Sequence, residues 1–170
     1  MEKVIYTSKF TFDIFNIILY ADKNNLLAIK LNEDSPLNFN GTIIDEKNSL
    51  IEMAETELLE YFNGKRKTFD IPIKNMSKGF EKKVYDELVT VDYGEVITYK
   101  ELGEKVGVEN SARAVGNAMA KNIFPIIIPC HRVVRTDGNI GNYTGGTELK
   151  IRLLELEKKY RDYEMIWTIN

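Results

Sequence analysis

Two prolines four residues apart, Pro125 and Pro129, enclose Ile126-Ile127-Ile128 and are followed at once by Cys130-His131-Arg132-Val133-Val134. A proline lacks a backbone donor, locks its own φ and drives the preceding residue away from helical geometry. A helix cannot pass through this run. Its β-branched residues predict a buried strand that ends at Pro129 and holds Cys130 at a fixed chain exit. Cys130 is the chain's single cysteine and His131 its single histidine. That count excludes an intramolecular disulfide and a structural zinc site built from four such ligands. A thiol becomes nucleophilic as the thiolate, so a thiol next to an imidazole is a candidate nucleophilic centre. The same pair also fits a buried structural cysteine beside an ordinary histidine. On an extended chain adjacent side chains point to opposite faces, so proton transfer between the two is expected either directly or through one water.

The chain has 170 residues, 44% of them hydrophobic and 29% charged, enough to bury a core in one domain or two small ones. Its first residues lack the basic and apolar segments of a signal peptide, and no uncharged apolar stretch approaches membrane-spanning length, so a cytoplasmic protein is expected. The net charge of -3 argues against a generic nucleic-acid binder. Yet no Asp or Glu stands between Glu109 and Asp137, a stretch of 27 residues, where 26 acids in 170 residues would place about four. Arg113, Lys121, Arg132 and Arg135 lie in that window with the Cys-His pair.

Alternating β-branched and aromatic residues predict strands over Val4 to Ser8, Phe12 to Tyr20 and Leu26 to Leu31, with Asp22 to Asn25 as a hairpin turn. Leu50, Met53, Ala54, Leu58, Tyr61 and Phe62 predict a helix over Glu46 to Phe62, stopped at Asn63-Gly64, and Phe69, Ile71 and Ile73 alternate like a further strand. Lys74 to Ser77 is polar and aperiodic, and the boundary is expected there: a structural α/β domain over 1-76 and a second domain over 77-170.

From Gly79 the period turns helical. Phe80, Val84 and Leu88 line one face of a helix, and Thr98-Tyr99-Lys100-Glu101 has the pattern of a capping box opening a short second helix that Gly107 ends. Asn110 or Ser111 caps a third helix reaching about Lys121, which makes a helix-turn-helix. Its spacing turns Ala112, Val115 and Met119 inward and leaves Arg113, Gly116, Asn117, Ala120 and Lys121 on a slim, basic, acid-free outer face that can approach a polymer backbone closely.

Gly141-Asn142-Tyr143-Thr144-Gly145-Gly146-Thr147 is glycine-rich and precedes the last helix, but no Gly-Lys-Ser or Gly-Lys-Thr follows, so it reads as a substrate-covering loop. In that helix Leu149, Leu153, Leu156 and Tyr160 form the apolar stripe, and Glu157 falls on it. A carboxylate facing a core needs a partner. His131 is the candidate, its tautomer fixed by the carboxylate on one nitrogen so that the other can take the thiol's proton.

Together these residues resemble the O6-alkylguanine-DNA alkyltransferase family, the methylated-DNA-protein-cysteine methyltransferases. The resemblance rests on Pro129-Cys130-His131-Arg132-Val133 and, in order around it, on Val96 to Tyr99, Ala112 to Gly116, Asn122, Pro125 to Val134 and Gly141 to Gly146. It spans about Phe80 to Glu157, and the N-terminal part is similar only loosely. It implies an α+β fold, a small N-terminal domain with a β-sheet and one helix followed by a mostly helical, winged-helix-like domain. It implies stoichiometric, irreversible transfer of an alkyl group from O6-alkylguanine, and from O4-alkylthymine, in double-stranded DNA to Cys130. The target base would be flipped out by a helix lying in the minor groove.

Carried over by residue, the resemblance makes His131 the water-linked base, Glu157 its orienting carboxylate and Asn122 a brace near the active site. Tyr99 would rotate the 3′ phosphate and donate a proton to the leaving guanine, and Arg113 would fill the space of the flipped nucleotide. Tyr143 would stack on the base, Val133 and Thr144 would meet its polar edge, and Met119 and Gly145 would complete the pocket. Lys100, Gly116 and Lys121 would join Arg113 and Tyr99 on DNA. No cofactor or metal is implied, since the zinc ligands of some animal members are absent. A monomer with weak, salt-sensitive and cooperative DNA binding is expected. The competing readings are a noncatalytic lesion-binding protein, a Cys-His hydrolase using Glu157, and a winged-helix transcription factor.

Overall fold

The computed structural model describes residues 3–33, 35 and 37–163. The last seven residues of the domain expected over 77-170 therefore lie outside the described residues. The chain divides into two compact units, Met1–Asn75 and Met76–Glu164. The architecture is α+β, a sheet unit with one helix and a mostly helical unit.

The first unit is a four-stranded sheet in the order β3-β2-β1-β4, formed by β1 (Val4–Phe12), β2 (Phe15–Ala21), β3 (Leu26–Leu31) and β4 (Thr42–Ile44). β1 and β2 are antiparallel with Phe12 opposite Phe15, so the turn is Asp13-Ile14, with Asp13 at φ 53°. The sequence reading ended the first strand at Ser8 and began the second at Phe12. Pairing with β2 carries β1 further, because an aspartate tolerates the left-handed turn position that alternation does not reveal. The Asp22 to Asn25 turn stands as expected, with the Asp22 carboxylate accepting the backbone N–H groups of Asn24 and Asn25 at 2.8 Å each.

β4 was not foreseen. It is three residues long and lies parallel to β1 at the sheet edge. The strand expected over Phe69 to Ile73 reduces to one bridge between Ile73 and Leu26.

Helix α1 (Ser49–Phe62) starts three residues later than the sequence suggested, because the side chain of Asn48 accepts the Ile51 N–H at 3.0 Å and caps the first turn. Ile51, Ala54, Leu58, Tyr61 and Phe62 bury its inner face, and Phe62 stacks on Phe12 and Phe15. Buried Glu57 on the same face accepts the N–H groups of Asp70 and Ile71, which pins the segment after the helix.

The second unit opens with α2 (Gly79–Leu88), followed by β5 (Ile97–Thr98), α3 (Tyr99–Lys105), α4 (Ala112–Ala120), β6 (Val133–Val134) and α5 (Thr147–Tyr160). Thr98 caps α3 by accepting the Glu101 N–H at 3.0 Å. Its hydroxyl also hydrogen-bonds the Glu101 carboxylate, so the reciprocal bond of the full capping box is not the one made. Ser111 occupies the cap position of α4, but its hydroxyl donates to Val108 O instead of capping the helix.

One expectation for the inner face of α4 is corrected. Val115 and Met119 are buried as foreseen, whereas Ala112 is exposed and Ala118 takes the third core position. The cause is packing on α2, where Tyr85 Oη donates to Ala118 O. The inward stripe is thus i, i+3, i+4 and starts at Val115.

The strand expected between Pro125 and Pro129 does not form. Phe124 to Ile128 is a tight loop in which Ile128 N–H donates to Phe124 O, Ile126 adopts φ 76°, and Cys130–Arg132 is a single 3-10 turn. The prolines exclude helix as argued, but a loop satisfies them as well as a strand does. Asn122 braces it, donating from Nδ2 to Ile128 O at 2.9 Å and accepting Phe124 N–H on Oδ1 at 2.9 Å.

Candidate active site

Cys130 is 4% exposed and opens the 3-10 turn, beneath a cleft of about 1080 Å³. Asn122 Nδ2 lies 3.2 Å from its sulfur. Burial pushes the thiol up to about 11, against the lowering pull of the Asn122 amide, of Lys150 and of the backbone N–H groups of Cys130 and His131. The site therefore holds a protonated thiol at neutral pH and needs a base or a bound substrate to release its nucleophile.

His131 and Glu157 are both buried, and Nε2 of the imidazole lies 2.6 Å from Glu157 Oε2. The remaining nitrogen, Nδ1, has no hydrogen-bond partner among the described residues. Burial lowers the imidazole's pKa and outweighs the Glu157 carboxylate, which pulls it up. Burial alone would raise Glu157, but His131 and Arg132 reverse it and hold the carboxyl far below the usual carboxylate range. An ionised carboxylate on Nε2 places the imidazole proton there and leaves Nδ1 as the acceptor. Cys130 and His131 sit on a 3-10 turn and not on an extended strand, so strand alternation does not set the directions of their side chains.

The sequence showed Arg132 as part of the basic window and of the Pro129 to Val133 motif, but gave it no role in the site. Its Nε donates to Glu157 Oε1 at 2.8 Å, its Nη2 to Oε2 at 3.0 Å and its Nη1 to Val91 O at 2.7 Å, while Gly94 N–H donates to Oε1 at 3.2 Å. Three consecutive residues thus carry the thiol, the imidazole and the cation that fixes the carboxylate.

Lys150 is a second addition. It is fully buried in α5, donates from Nζ to Val133 O at 2.6 Å and lies 5.7 Å from the centre of the Tyr99 ring. Burial pulls its pKa down to about 8, against the upward pull of Cys130. Lys150, Leu153 and Glu157 follow each other at i, i+3, i+7, so the face that carries Glu157 carries Lys150 too. That spacing was legible in the sequence.

Tyr99 starts α3 and lines the cleft, close to Gly116 and Gly141. Gly141 has φ +82°, and a Cβ there would stand 2.7 Å from the Tyr99 hydroxyl and 3.2 Å from its ring. Both the backbone and the close approach require glycine. Burial raises the Tyr99 pKa, as does the Cys130 sulfur, against Arg135.

Of the other residues expected in the site, Arg113, Gly116, Met119, Tyr143 and Thr144 line the same cleft as Cys130 and Tyr99. Arg113 and Thr144 are exposed, and the Tyr143 hydroxyl is buried without a hydrogen-bond partner among the described residues. Val133 is fully buried and Gly145 half-buried, and neither is among the cleft residues. Lys100 and Lys121 are exposed away from the cleft lining, with Lys121 Nζ 3.8 Å from Glu81. Leu156 and Tyr160 are half-buried, so Leu149, Lys150, Leu153 and Glu157 make up the inner face of α5. No group of three His, Cys, Asp or Glu side chains suited to a metal ion occurs among the described residues, and no described helix is long and apolar enough to cross a membrane.

The model of the 6-O-methylguanine DNA methyltransferase DNA binding domain matches residues 79–159, and that of the family's ribonuclease-like domain matches residues 5–75. A methylated-DNA--protein-cysteine methyltransferase of Metallosphaera sedula is 48% identical over 113 residues, covering 66% of this chain and 70% of its own. The constitutive methylated-DNA--protein-cysteine methyltransferase of Bacillus subtilis is 33% identical over 147 residues, 84% of this chain and 88% of its own. The structure of Mycobacterium tuberculosis OGT in complex with DNA superposes with a TM-score of 0.83 at 30% identity, over 91% of this chain and 94% of that one. With both units matched in order and the Cys-His-Glu constellation assembled beneath one cleft, the chain belongs to the 6-O-methylguanine DNA methyltransferase family.

Proposed function

We propose that this chain repairs double-stranded DNA by taking the alkyl group of O6-alkylguanine, and of O4-alkylthymine, onto Cys130, once per molecule. The thiolate attacks the sp3 carbon bound to O6. A carbon–sulfur bond forms, the carbon–oxygen bond breaks, and the guanine leaves with the electron pair and takes up a proton. No water adds to the thioether, so the protein is consumed.

The observation that carries this reading is the position of Cys130 beneath the cleft, its sulfur within 3.2 Å of Asn122 and its neighbour His131 bonded to Glu157 at 2.6 Å. His131 Nδ1 is the base that takes the thiol's proton through one water; Glu157 stabilises the imidazolium that results, while Arg132 holds that carboxylate in place and its own charge opposes the imidazolium. Tyr99 turns the 3′ phosphate and delivers the proton that the guanine needs as it leaves.

The target atom is out of reach inside a duplex, so the base must leave the stack at a cost of a few kcal/mol. The acid-free outer side of α4, with Arg113 and Ala120 exposed and Gly116 half-buried, suits a minor-groove approach in which Arg113 fills the vacated space. Tyr143 stacks on the extruded base, and Met119, Thr144, Gly145 and Val133 shape its surroundings. Lys100, Gly116 and Lys121 support the contact with DNA. The domain over 77-170 then carries the reaction, and that over 1-76 serves as its structural support. The protein acts as a monomer that binds DNA cooperatively, without metal or cofactor.

The test is intact-protein mass after incubation with excess duplex DNA carrying one O6-methylguanine, with Cys130→Ser as control. A gain of one methylene mass, saturating at one per molecule and absent from the control, is expected. No gain together with a retained preference for the damaged duplex would replace this reading with a lesion-binding protein.

A further inference from the structure

Arg135 follows β6 and begins a tight turn, its N–H donating to Asn139 O at 2.9 Å and its carbonyl accepting Gly138 N–H at 3.3 Å. Its side chain lines the cleft above Cys130, as does that of Arg113 on α4. Tyr99 feels its charge, which pulls the phenol down against burial. The proposed reaction gives Arg135 no part.

Asp137, two residues on, is the only acid among the described residues of the cleft wall and closes the long acid-free stretch. Its Oδ1 accepts Asn139 N–H at 3.0 Å, which fixes the carboxylate in the turn. Its Oδ2 lies 3.6 Å from Arg135 Nη2, and both side chains are more than half exposed. An ion pair this exposed is weak. An arginine held by such a pair is positioned, yet open to a better acceptor, and a phosphodiester offers a paired set of oxygens that guanidinium binds well.

We propose that Arg135 is a second phosphate-binding side chain at the mouth of the cleft, and that Asp137 is its built-in competitor, occupying it in the free protein and lowering affinity for duplex DNA. The inference rests on the proposed repair of duplex DNA. Arg113 and Arg135 then hold DNA from two elements of the cleft wall, and Asp137 makes the grip reversible, as a protein searching mostly undamaged DNA requires.

The test is a double-mutant cycle on the full chain, reading duplex affinity at several salt concentrations and the single-turnover rate of methyl transfer against DNA concentration. Arg135→Ala should weaken binding about tenfold and flatten the slope of log affinity against log salt by about 0.9, the value for one lost phosphate contact. The loss should fall on the half-saturating DNA concentration more than on the limiting rate, and Arg135→Lys should restore most of it. Asp137→Asn keeps an oxygen for Asn139 N–H and should tighten binding severalfold, but only while Arg135 is present.

An unchanged salt slope in Arg135→Ala, or an equal gain from Asp137→Asn in both backgrounds, overturns the proposal while leaving alkyl transfer intact. Absence of methyl transfer and of duplex binding in the unmodified protein overturns both.

Discussion

Arg132 grips both oxygens of the Glu157 carboxylate, Nε to Oε1 at 2.8 Å and Nη2 to Oε2 at 3.0 Å, although 24 residues separate them in sequence. The carboxylate that faces His131 is thereby kept ionised inside the protein, where alone it would be protonated. Breaking one partner of a buried pair leaves an uncompensated charge. Arg132→Met is therefore expected to cost about 3–5 kcal/mol of unfolding free energy, measured by urea denaturation at pH 7.

The same contact sets an acid limit. The folded-state pKa of Glu157 is depressed below its unfolded value. Its contribution is thus fully present above an unfolded carboxyl pKa of about 4.3 and is lost as pH falls through the lower folded value. Thermal melts between pH 6 and pH 3 should show a decline in stability that is shallower in Glu157→Gln. Parallel curves for the two proteins would contradict the assignment.

The thiol of Cys130, raised to about 11, makes alkyl transfer depend on its ionisation. The single-turnover rate should climb from pH 7 to pH 9, by up to about tenfold per pH unit where the thiolate fraction limits. Asn122→Ala removes the amide donor on the sulfur, leaves Ile128 O with the Cys130 N–H alone and unpairs Phe124 N–H. It should slow transfer and cost about 1–3 kcal/mol in stability, read from stopped reactions and from melting.

Lys150 gives the opposite pH signature. Its folded pKa of about 8 lies below the ordinary 10.5, so the folded protein binds fewer protons than the unfolded chain between those values. Stability is reduced below pH 8, and the penalty, up to about 3 kcal/mol, is relieved as pH rises toward 10.5. In a Cys130→Ser background, where the thiol no longer titrates, stability should rise across that window, and adding Lys150→Met should abolish the rise. Calorimetry at fixed ionic strength makes the comparison.

Gly141→Ala should disturb Tyr99 directly. The new methyl would meet the phenol oxygen at 2.7 Å on a backbone at φ +82°, adding about 1–2 kcal/mol of local strain. A fall in melting temperature together with slower methyl transfer is expected. Tyr99→Phe removes the oxygen, so Gly141→Ala should cost less stability in that background.

Much of the molecule could be read from residues in order along the chain. The Cys130-His131 pair, the Thr98 cap of α3, the inward Val115 and Met119 and the position of Glu157 on the inner face of α5 all follow from local chemistry or helical period. The family motif places them in register. The same local reading failed where two backbones satisfy one pattern. A strand and a tight loop both suit two prolines around three isoleucines, and Asn122, eight residues before the thiol, makes it the loop. Ala112 and Ala118 are alike in sequence, and contact with Tyr85 selects Ala118.

What the sequence determined by itself was the chemical inventory and its periodicity: one thiol, one imidazole, a carboxylate on an apolar stripe and a basic face without acids. What only the tertiary structure decided was the partnership among them. Arg132 with Glu157, Lys150 with Val133 O, and Gly141 against Tyr99 join segments about 15 to 40 residues apart. Such pairs are fixed by the packing of α5 and its preceding loop on the 3-10 turn and α3. No short-range pattern records them, because the desolvation that makes each pair necessary exists only once the chain has folded.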